Sequence, residues 1–301
     1  MVAFVDDYRE VYGVEPICRE LPIAPQTYYA YKRRAPSDRA LRDAYLCEQI
    51  QRVYDENFKV YGARKVWIEL GREGIAVARC TVERLMRAMG LQGVRRGPTA
   101  PTTTSPDRQA AQALPDLLDR DFTATRPDQV WCADLTYVAL ADGGFCYTAL
   151  ITDVCTRGIV GWAVGTSLAT DLPLAALEQA LHRRGGALDG LIHHSDRGCQ
   201  YTSVRYADRL DLERITASMG SVGGSYDNAL IESAIGLYKT ELIGRHGPWP
   251  TALDVELATL EYINWFNHKR IHTAIGDRPP AEHEAAYCNA HNDLNRTPAI
   301  Q

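Results

Sequence analysis

The stretch VWCADLTYVALADGGFCYTALITDVCTRGIVGWAVGT, residues 130–166, holds three apolar, β-favouring runs in succession. VWCADLTYVAL (130–140), FCYTALITDV (145–154) and GIVGWAVGT (158–166) each read as a strand, and the ADGG between the first two is a hairpin signal. After them the period changes. DLPLAALEQALHRRG (171–185) reads as an amphipathic helix ended by glycine, LIHHSD (191–196) as a short buried strand, VRYADRLDL (204–212) as a helix and RITASMG (214–220) as another strand. Past the GSVGGS loop (220–225) a further helix begins near Asp227. The order βββαβαβα implies an α/β fold, a mixed five-stranded sheet with helices on both faces.

Upstream, residues 93–120 combine Gly, Pro, Thr and Ser without apolar periodicity and read as a linker. Residues 1–92 read as helical throughout. FVDDYREVYG (4–13), VEPICREL (14–21) and PQTYYAYKRR (25–34) suggest three short helices, with Pro22 and Pro25 marking a turn before the last. A second set follows: a helix from about Asp38 to Tyr54, one across YGARKVWIELGRE (61–73), a turn at Gly74, and a basic amphipathic helix around ARCTVERLMRAMG (78–90). In that last helix Val82, Leu85, Met86 and Met89 recur at helical spacing, while Arg79, Arg84 and Arg87 lie elsewhere on its surface. This is a helix-turn-helix outline whose second helix would enter a DNA groove, and the three arginines are its candidate DNA contacts. Small helical bundles with basic faces share the pattern. The chain divides into an N-terminal helical segment (1–34), a helix-turn-helix-like basic domain with candidate DNA contacts (35–92), the linker (93–120), an α/β core (121–245) and a C-terminal helical extension (246–301).

Composition sets limits on these readings. With 301 residues, 46% of them apolar, the chain can bury a substantial core. Its net charge of −5 is segregated: residues 31–97 carry fifteen Lys and Arg against eight Asp and Glu, whereas residues 121–301 carry fourteen against twenty-two. A basic N-terminal half fits phosphate contacts and an acidic remainder fits a domain that holds cations; an ordinary solvated helical surface accounts equally well for the charge alone. The eight cysteines form no CxxC pair, which suits neither a zinc ribbon nor a disulfide framework. No run approaches the length of a membrane span, and MVAFVDDYRE is acidic within seven residues, unlike a secretory signal. The expectation is a cytoplasmic protein, associated with the nucleoid and not with a membrane.

Three acids fall on particular elements: Asp134 in the first strand, Asp196 at the end of the fourth and Glu232 in the helix after the fifth. Brought together, they would repel one another unless something positive sat among them. Hard divalent cations take oxygen ligands, and a pair of them can clamp the attacking and leaving oxygens of a phosphoryl displacement. For Asp196 taken alone, a turn or capping role is the simpler reading.

The motifs WCADLTY, HSDRGCQYTS, SYDNALIES and WFNHKRIHTAIGDRPP change that balance, because together and in this order they resemble the DDE transposases of bacterial insertion sequences, relatives of retroviral integrases. The likeness is to the downstream-frame product (OrfB) of the two-frame insertion-sequence family numbered three, and it runs from VYGVEPICREL to PPAEHEAAY. It implies a ribonuclease-H-like core that binds two Mg²⁺ or Mn²⁺ ions and cuts and joins DNA at the ends of a mobile element. By motif match, Asp134, Asp196 and Glu232 are the catalytic metal ligands, and Lys239, seven positions after the glutamate, contacts element-end DNA. Arg197, Gln200, Tyr201 and Asn228, flanking the second and third acids, are further candidate DNA contacts. The implied partners are double-stranded DNA, as terminal inverted repeats and as target, and the upstream-frame product (OrfA), separate or fused. A homo-oligomer on DNA is also implied.

One departure from the family pattern is Ala234-Ile235-Gly236, where relatives carry bulkier or polar residues. Glu232, Gly236 and Lys239 share a helix face, so the glycine either lets a DNA backbone approach or is merely tolerated. His193 and His194 either position water or phosphate or serve the strand end. His268 and His272 have zinc-like spacing without a third ligand, and no histidine precedes His182, which excludes an N-terminal His/Cys zinc fold. Trp249, Trp265 and Phe266 read as packing. Two other functions compete with transposition: a ribonuclease-H-like nuclease without strand transfer, and a catalytically silent DNA-binding regulator.

Overall fold

The computed structural model describes residues 1–95, 115–185, 188–220 and 228–294. Its centre is one five-stranded sheet, β1 (Val130–Ala139), β2 (Phe145–Asp153), β3 (Ile159–Gly165), β4 (Ile192–Ser195) and β5 (Thr216–Met219), in the order β3-β2-β1-β4-β5. The first three form an antiparallel meander through the turn at 141–144, and β4 and β5 add in parallel to the free side of β1. Parallel addition needs crossovers, and α7 (Asp171–Arg184) and α8 (Val204–Leu212) supply them. Gly185 ends α7 at φ 59°, the left-handed conformation its position past the helix favours. Where α7 crosses β3, a Cβ on Gly161 would stand 2.2 Å from the Ala176 carbonyl oxygen, so strand and helix backbones touch because that residue has no side chain.

The two faces of the sheet bury different partners. On one, Trp131, Ala133, Ala149, Ile151 and Val160 pack against Ala176, Leu177, Tyr206 and Leu210 of α7 and α8. On the other, Cys132, Val138, Leu150 and Ile159 meet α9 (Ala229–Tyr238) and, after the short α10 (Gly244–His246), α11 (Ala252–His268). This alternation is the period-two pattern of a sheet covered on both sides. Trp249, Trp265 and Phe266 are buried, as their sequence context indicated. All eight cysteines are free, and among the described residues no helix is long and apolar enough to cross a membrane.

The N-terminal region forms two units. Helices α1 (Val2–Tyr12), α2 (Val14–Glu20) and α3 (Pro25–Arg33) enclose a small cluster of Val5, Ile17, Cys18 and Tyr28. Helices α4 (Asp38–Glu56), α5 (Ala63–Arg72) and α6 (Arg79–Ala88) gather Leu46, Ile50, Val66, Leu70, Val82, Leu85 and Met86. Each such side chain contributes about 1.5–3 kcal/mol relative to exposure. Arg79, Arg84 and Arg87 remain exposed on α6, although Arg79 pairs with Glu83 and Arg84 reaches Asp43 of α4 at 2.8 Å.

The second unit is not a loose appendage. Its apolar cluster is continuous with that of α9 and α11. Asn57 accepts from the Trp265 indole at 3.0 Å, Phe58 packs against Tyr262 and Trp265, and Arg64 forms two bonds to Asp277 at 2.9 and 2.8 Å. Beneath these lies a buried ion pair. Arg270 donates from Nη2 to Glu241 Oε1 at 2.6 Å and from Nε to Oε2 at 2.8 Å, and the Tyr262 hydroxyl adds a third bond at 3.0 Å.

Lys65 of α5 borders this pair with its ammonium 5.1 Å from the Tyr61 ring centre, and burial, then the nearby Arg270 charge, lowers its pKa from 10.5 to about 7. The unfolded chain therefore binds that proton more tightly between those two values. Stability falls as pH drops through that window and rises as pH is raised from about 7 towards 10. Lys65→Met is expected to stabilise the fold at pH 7 by on the order of 1 kcal/mol, read as a higher melting temperature, and to flatten this part of the profile. A thermal melt series across the window checks it; an unchanged slope in the variant would assign the titration elsewhere.

Candidate active site

The sheet register places the first two acids. β1 and β4 run parallel with Ala133 opposite Ser195, and each strand's next residue is an aspartate, so Asp134 and Asp196 emerge together where β4 ends. The third acid arrives by way of Asn228. This residue precedes α9 and donates from Nδ2 to the Ala133 carbonyl at 3.2 Å, tying the start of the helix to the strand that carries Asp134. Glu232 lies in the first turn of α9, exposed on its surface. Lys239 follows at the point where the helix widens into a π-helical stretch, Lys239–Ile243, so the α-helical phase between Glu232 and Lys239 is kept.

These groups act on one another's charge. Burial raises Asp134 to about 8, the negative charges of Asp196 and Glu232 push in the same direction, and the Leu135 N–H and the Lys239 ammonium pull the other way. Asp134 Oδ1 accepts from the Leu135 N–H at 2.7 Å. Asp196 is raised too, chiefly by partial burial, against a bond from the Gly198 N–H at 3.0 Å. Its side chain is more open to solvent than that of Asp134, so water screens its charge more. A Cβ on Gly198 would stand 3.0 Å from both Asp196 Oδ1 and Gln200 Oε1, so the turn after Asp196 has little room for a side chain there.

The site suits a hard divalent cation in its donor chemistry. Its acids are oxygen donors that mutual repulsion destabilises, and the Asn228 Oδ1 beside them is buried without a hydrogen-bond partner among the described residues. As they stand, no three His, Cys, Asp or Glu side chains among the described residues converge closely enough to ligate one ion.

Several flanking residues are engaged within the protein itself. Tyr201 is only 3% exposed, its ring packed edge-on against Tyr206, and Asn228 is buried with its amide committed to the Ala133 carbonyl. Both side chains are buried in the free protein. Arg197 and Gln200 are partly buried and donate to backbone carbonyls, Arg197 to Gly220 at 2.6 Å and Gln200 to Leu168 at 3.0 Å. They shape the loop around the second acid. Gly236 is buried, so it opens no surface on α9. His193 meets the Tyr206 hydroxyl at 3.0 Å and His194 meets Ser218 at 2.9 Å, both buried and structural. His272 is buried whereas His268 is exposed, so the pair shares no ligand site.

Sequence reasoning missed the aromatic pair Tyr137 and Phe145 at the outer end of the hairpin and the Glu241–Arg270 pair. The motif FNHKRIH carries the arginine, but nothing in linear order links it to Glu241.

Comparison with known proteins places this geometry in a lineage. Two integrase core domain models match residues 124–225 and 213–280, and an HTH-like domain model matches residues 40–99. The transposase for insertion sequence element IS629 of Shigella sonnei is 52% identical over 292 residues, covering 95% of this chain and 96% of the relative. Transposase InsF for insertion sequence IS3A of Escherichia coli K12 is 30% identical over 288 residues, covering 93% and 97%. Among solved structures, the HTLV-2 integrase catalytic core aligns at 14% identity with a TM-score of 0.41, over 54% of this chain and 99% of that one. With matching models across both the helical and the sheet regions and full-length relatives at this identity, the chain belongs to the integrase-core transposases of bacterial insertion sequences.

Proposed function

We propose that this chain cuts and joins DNA at the ends of an insertion sequence, with Asp134, Asp196 and Glu232 as its catalytic carboxylates. The observation that carries this is the meeting of Asp134 in β1 with Asp196 at the end of β4, in parallel register, with a helix tied to β1 at Ala133, in a chain of the transposase family. The three acids would hold Mg²⁺ or Mn²⁺, two ions in all, which supply Lewis-acid stabilisation and nucleophile activation when bound. Asp134, set deepest, fixes the floor of the site. Asp196 and Glu232, at its exposed rim, face the incoming phosphodiester. Lys239 offsets the acids' repulsion of that phosphodiester. Water attacks first, and the freed 3′-hydroxyl then attacks the target strand, with no covalent protein intermediate.

DNA engagement follows from the helix-turn-helix-like unit, whose Arg79, Arg84 and Arg87 face solvent on α6. Such phosphate contacts make binding strongly salt-dependent. The upstream-frame product, separate or fused, is proposed to sharpen selection of the terminal repeats and to pair two ends in a multimer. The domain division 1–34, 35–92, 93–120, 121–245 and 246–301 is retained as the working arrangement for truncations.

The experiment is an assay of labelled terminal-repeat duplex with the chain and with the fusion, in Mg²⁺ and in chelator. Metal-dependent 3′-end cleavage followed by joined product is expected. Cleavage without joining would favour a nuclease, binding without cleavage a silent regulator, and undiminished cleavage in chelator would end the metal reading.

A further inference from the structure

A cleft at the opposite end of the sheet from the acids gathers positive charge. Asp134 and Asp196 emerge where β4 ends, whereas the turn after β2 lies level with the start of β4, because Trp131 pairs with Asp153 on one side and His193 on the other. Between that turn, residues 123–125 and the C-terminal extension with α12 (Pro280–Leu294) is a hollow of about 500 Å³. Arg157 lines it from the turn, Arg278 from the loop before α12, and His283 from the first turn of α12. Among the described residues, none of those lining it is acidic.

The acids nearest in sequence are committed elsewhere. Asp153 accepts from the Asp128 and Thr156 N–H groups, both at 2.7 Å, Asp277 binds Arg64, Glu282 pairs with Arg72 and Glu284 with Arg184. The Arg278 and His283 side chains form no hydrogen bond or ion pair among the described residues. Arg157 is half-buried and makes one long bond, from Nη2 to the Phe122 carbonyl at 3.5 Å, while its Nε is buried with no partner among the described residues. A buried guanidinium N–H without an acceptor is costly, so this one calls for an acceptor from outside the chain. Burial and then the Arg278 charge lower the pKa of His283, as expected for two basic groups side by side with no anion between them.

A guanidinium presents its N–H groups as a planar fork that matches two phosphate oxygens. Two such forks and an imidazole, supplied by three separate segments, suit an anion with more than two acceptor oxygens. We propose that this cleft binds a phosphate group through Arg157, Arg278 and His283, and thereby ties α12 to the sheet. The hollow has the size of a small-molecule pocket, and Val154, Ile275 and the Tyr287 ring leave an apolar wall for the organic group that carries the phosphate. A nucleoside monophosphate and the backbone of DNA present the same oxygens, so either can be the source. The inference stands apart from the transposase reading, because it uses none of the three carboxylates.

The test uses the full chain in chelator, so that no metal ion draws phosphate to the carboxylates. Equilibrium titration with inorganic phosphate and with deoxyadenosine monophosphate, at constant ionic strength, is expected to show a single site for each. Arg278→Gln and His283→Gln, whose folding is checked by melting without ligand, should each weaken both anions, the arginine variant by at least about tenfold. Hydrogen exchange in α12 should slow when the wild type binds and stay unchanged in the Arg278→Gln variant. A duplex of scrambled sequence then separates the sources: one that displaces the monophosphate assigns the cleft to the DNA backbone, and one that binds alongside it assigns the cleft to a small phosphate compound. A wild type that binds neither anion, or folded variants that both bind them as the wild type does, overturns the phosphate site. Binding that leaves exchange in α12 unchanged overturns the tie between α12 and the sheet.

Discussion

Asp134→Asn is expected to abolish metal-dependent strand cleavage and joining, by at least about a thousandfold, while making the metal-free protein more stable. Both effects have one origin. In the folded chain burial and the charges of Asp196 and Glu232 raise Asp134 to about 8 from 3.8, so the native state holds its proton more tightly than the unfolded chain does. That preference favours folding fully below the lower value and is lost as pH rises through the upper one. The metal-free wild type should therefore lose stability as pH rises from about 4 to 8, and the asparagine variant should lose less. Asp196→Asn and Glu232→Gln should be as inactive, with a smaller stability gain because both side chains face solvent. Melting with and without Mg²⁺, beside the cleavage assay, tests the set. A folded Asp134→Asn variant with wild-type cleavage would remove Asp134 from the site, and a variant melting below the wild type at pH 8 without metal would contradict the electrostatic account.

The second large effect concerns the buried Glu241–Arg270 pair, which lies within the core beneath its contacts with the helix-turn-helix-like unit. Glu241→Ala leaves the Arg270 guanidinium enclosed by Trp265, Phe266 and Tyr262 with its carboxylate partner gone. Breaking a buried pair from one side costs about 3–5 kcal/mol, because the remaining charge stays desolvated. The loss should reach beyond the core. Arg270 lies in the segment whose Trp265 binds Asn57 and whose Ile271 N–H donates to the Tyr61 hydroxyl at 2.8 Å, so the α4–α6 unit should loosen with it. Hydrogen exchange is expected to show faster opening in α4 and α5 as well as α11, and replacing both partners with apolar residues should recover much of the stability. Faster exchange confined to α11 would show that the pair does not hold the two units together.

How much of this was legible in linear order follows from which interactions are local. The strands and helices were, because period two and period 3.6 are properties of neighbouring residues, and ADGG, Gly74 and the glycine after α7 mark their own turns. The three proposed acids could be singled out in linear order as well, since each sits in a motif that keeps its residue types together.

The surroundings of those acids were not. Arg197, Gln200, Tyr201 and Asn228 read as DNA contacts because they are polar and flank the motifs, yet folding spends two of them on carbonyls of Gly220 and Leu168 and buries the other two. The Glu241–Arg270 pair joins residues 29 positions apart, and the Asn57–Trp265 bond spans 208. Linear patterning carries no trace of such separations. Tyr137 and Phe145 are ordinary strand residues by sequence, and only the shortness of β4, four residues against ten in β1, leaves their end of the sheet uncovered. The sequence by itself determined the elements and singled out the candidate carboxylates, because propensity and motif chemistry act over a few residues. The tertiary structure alone decided which polar groups face solvent and which charges are buried, because desolvation depends on everything packed around a group and not on its neighbours in the chain.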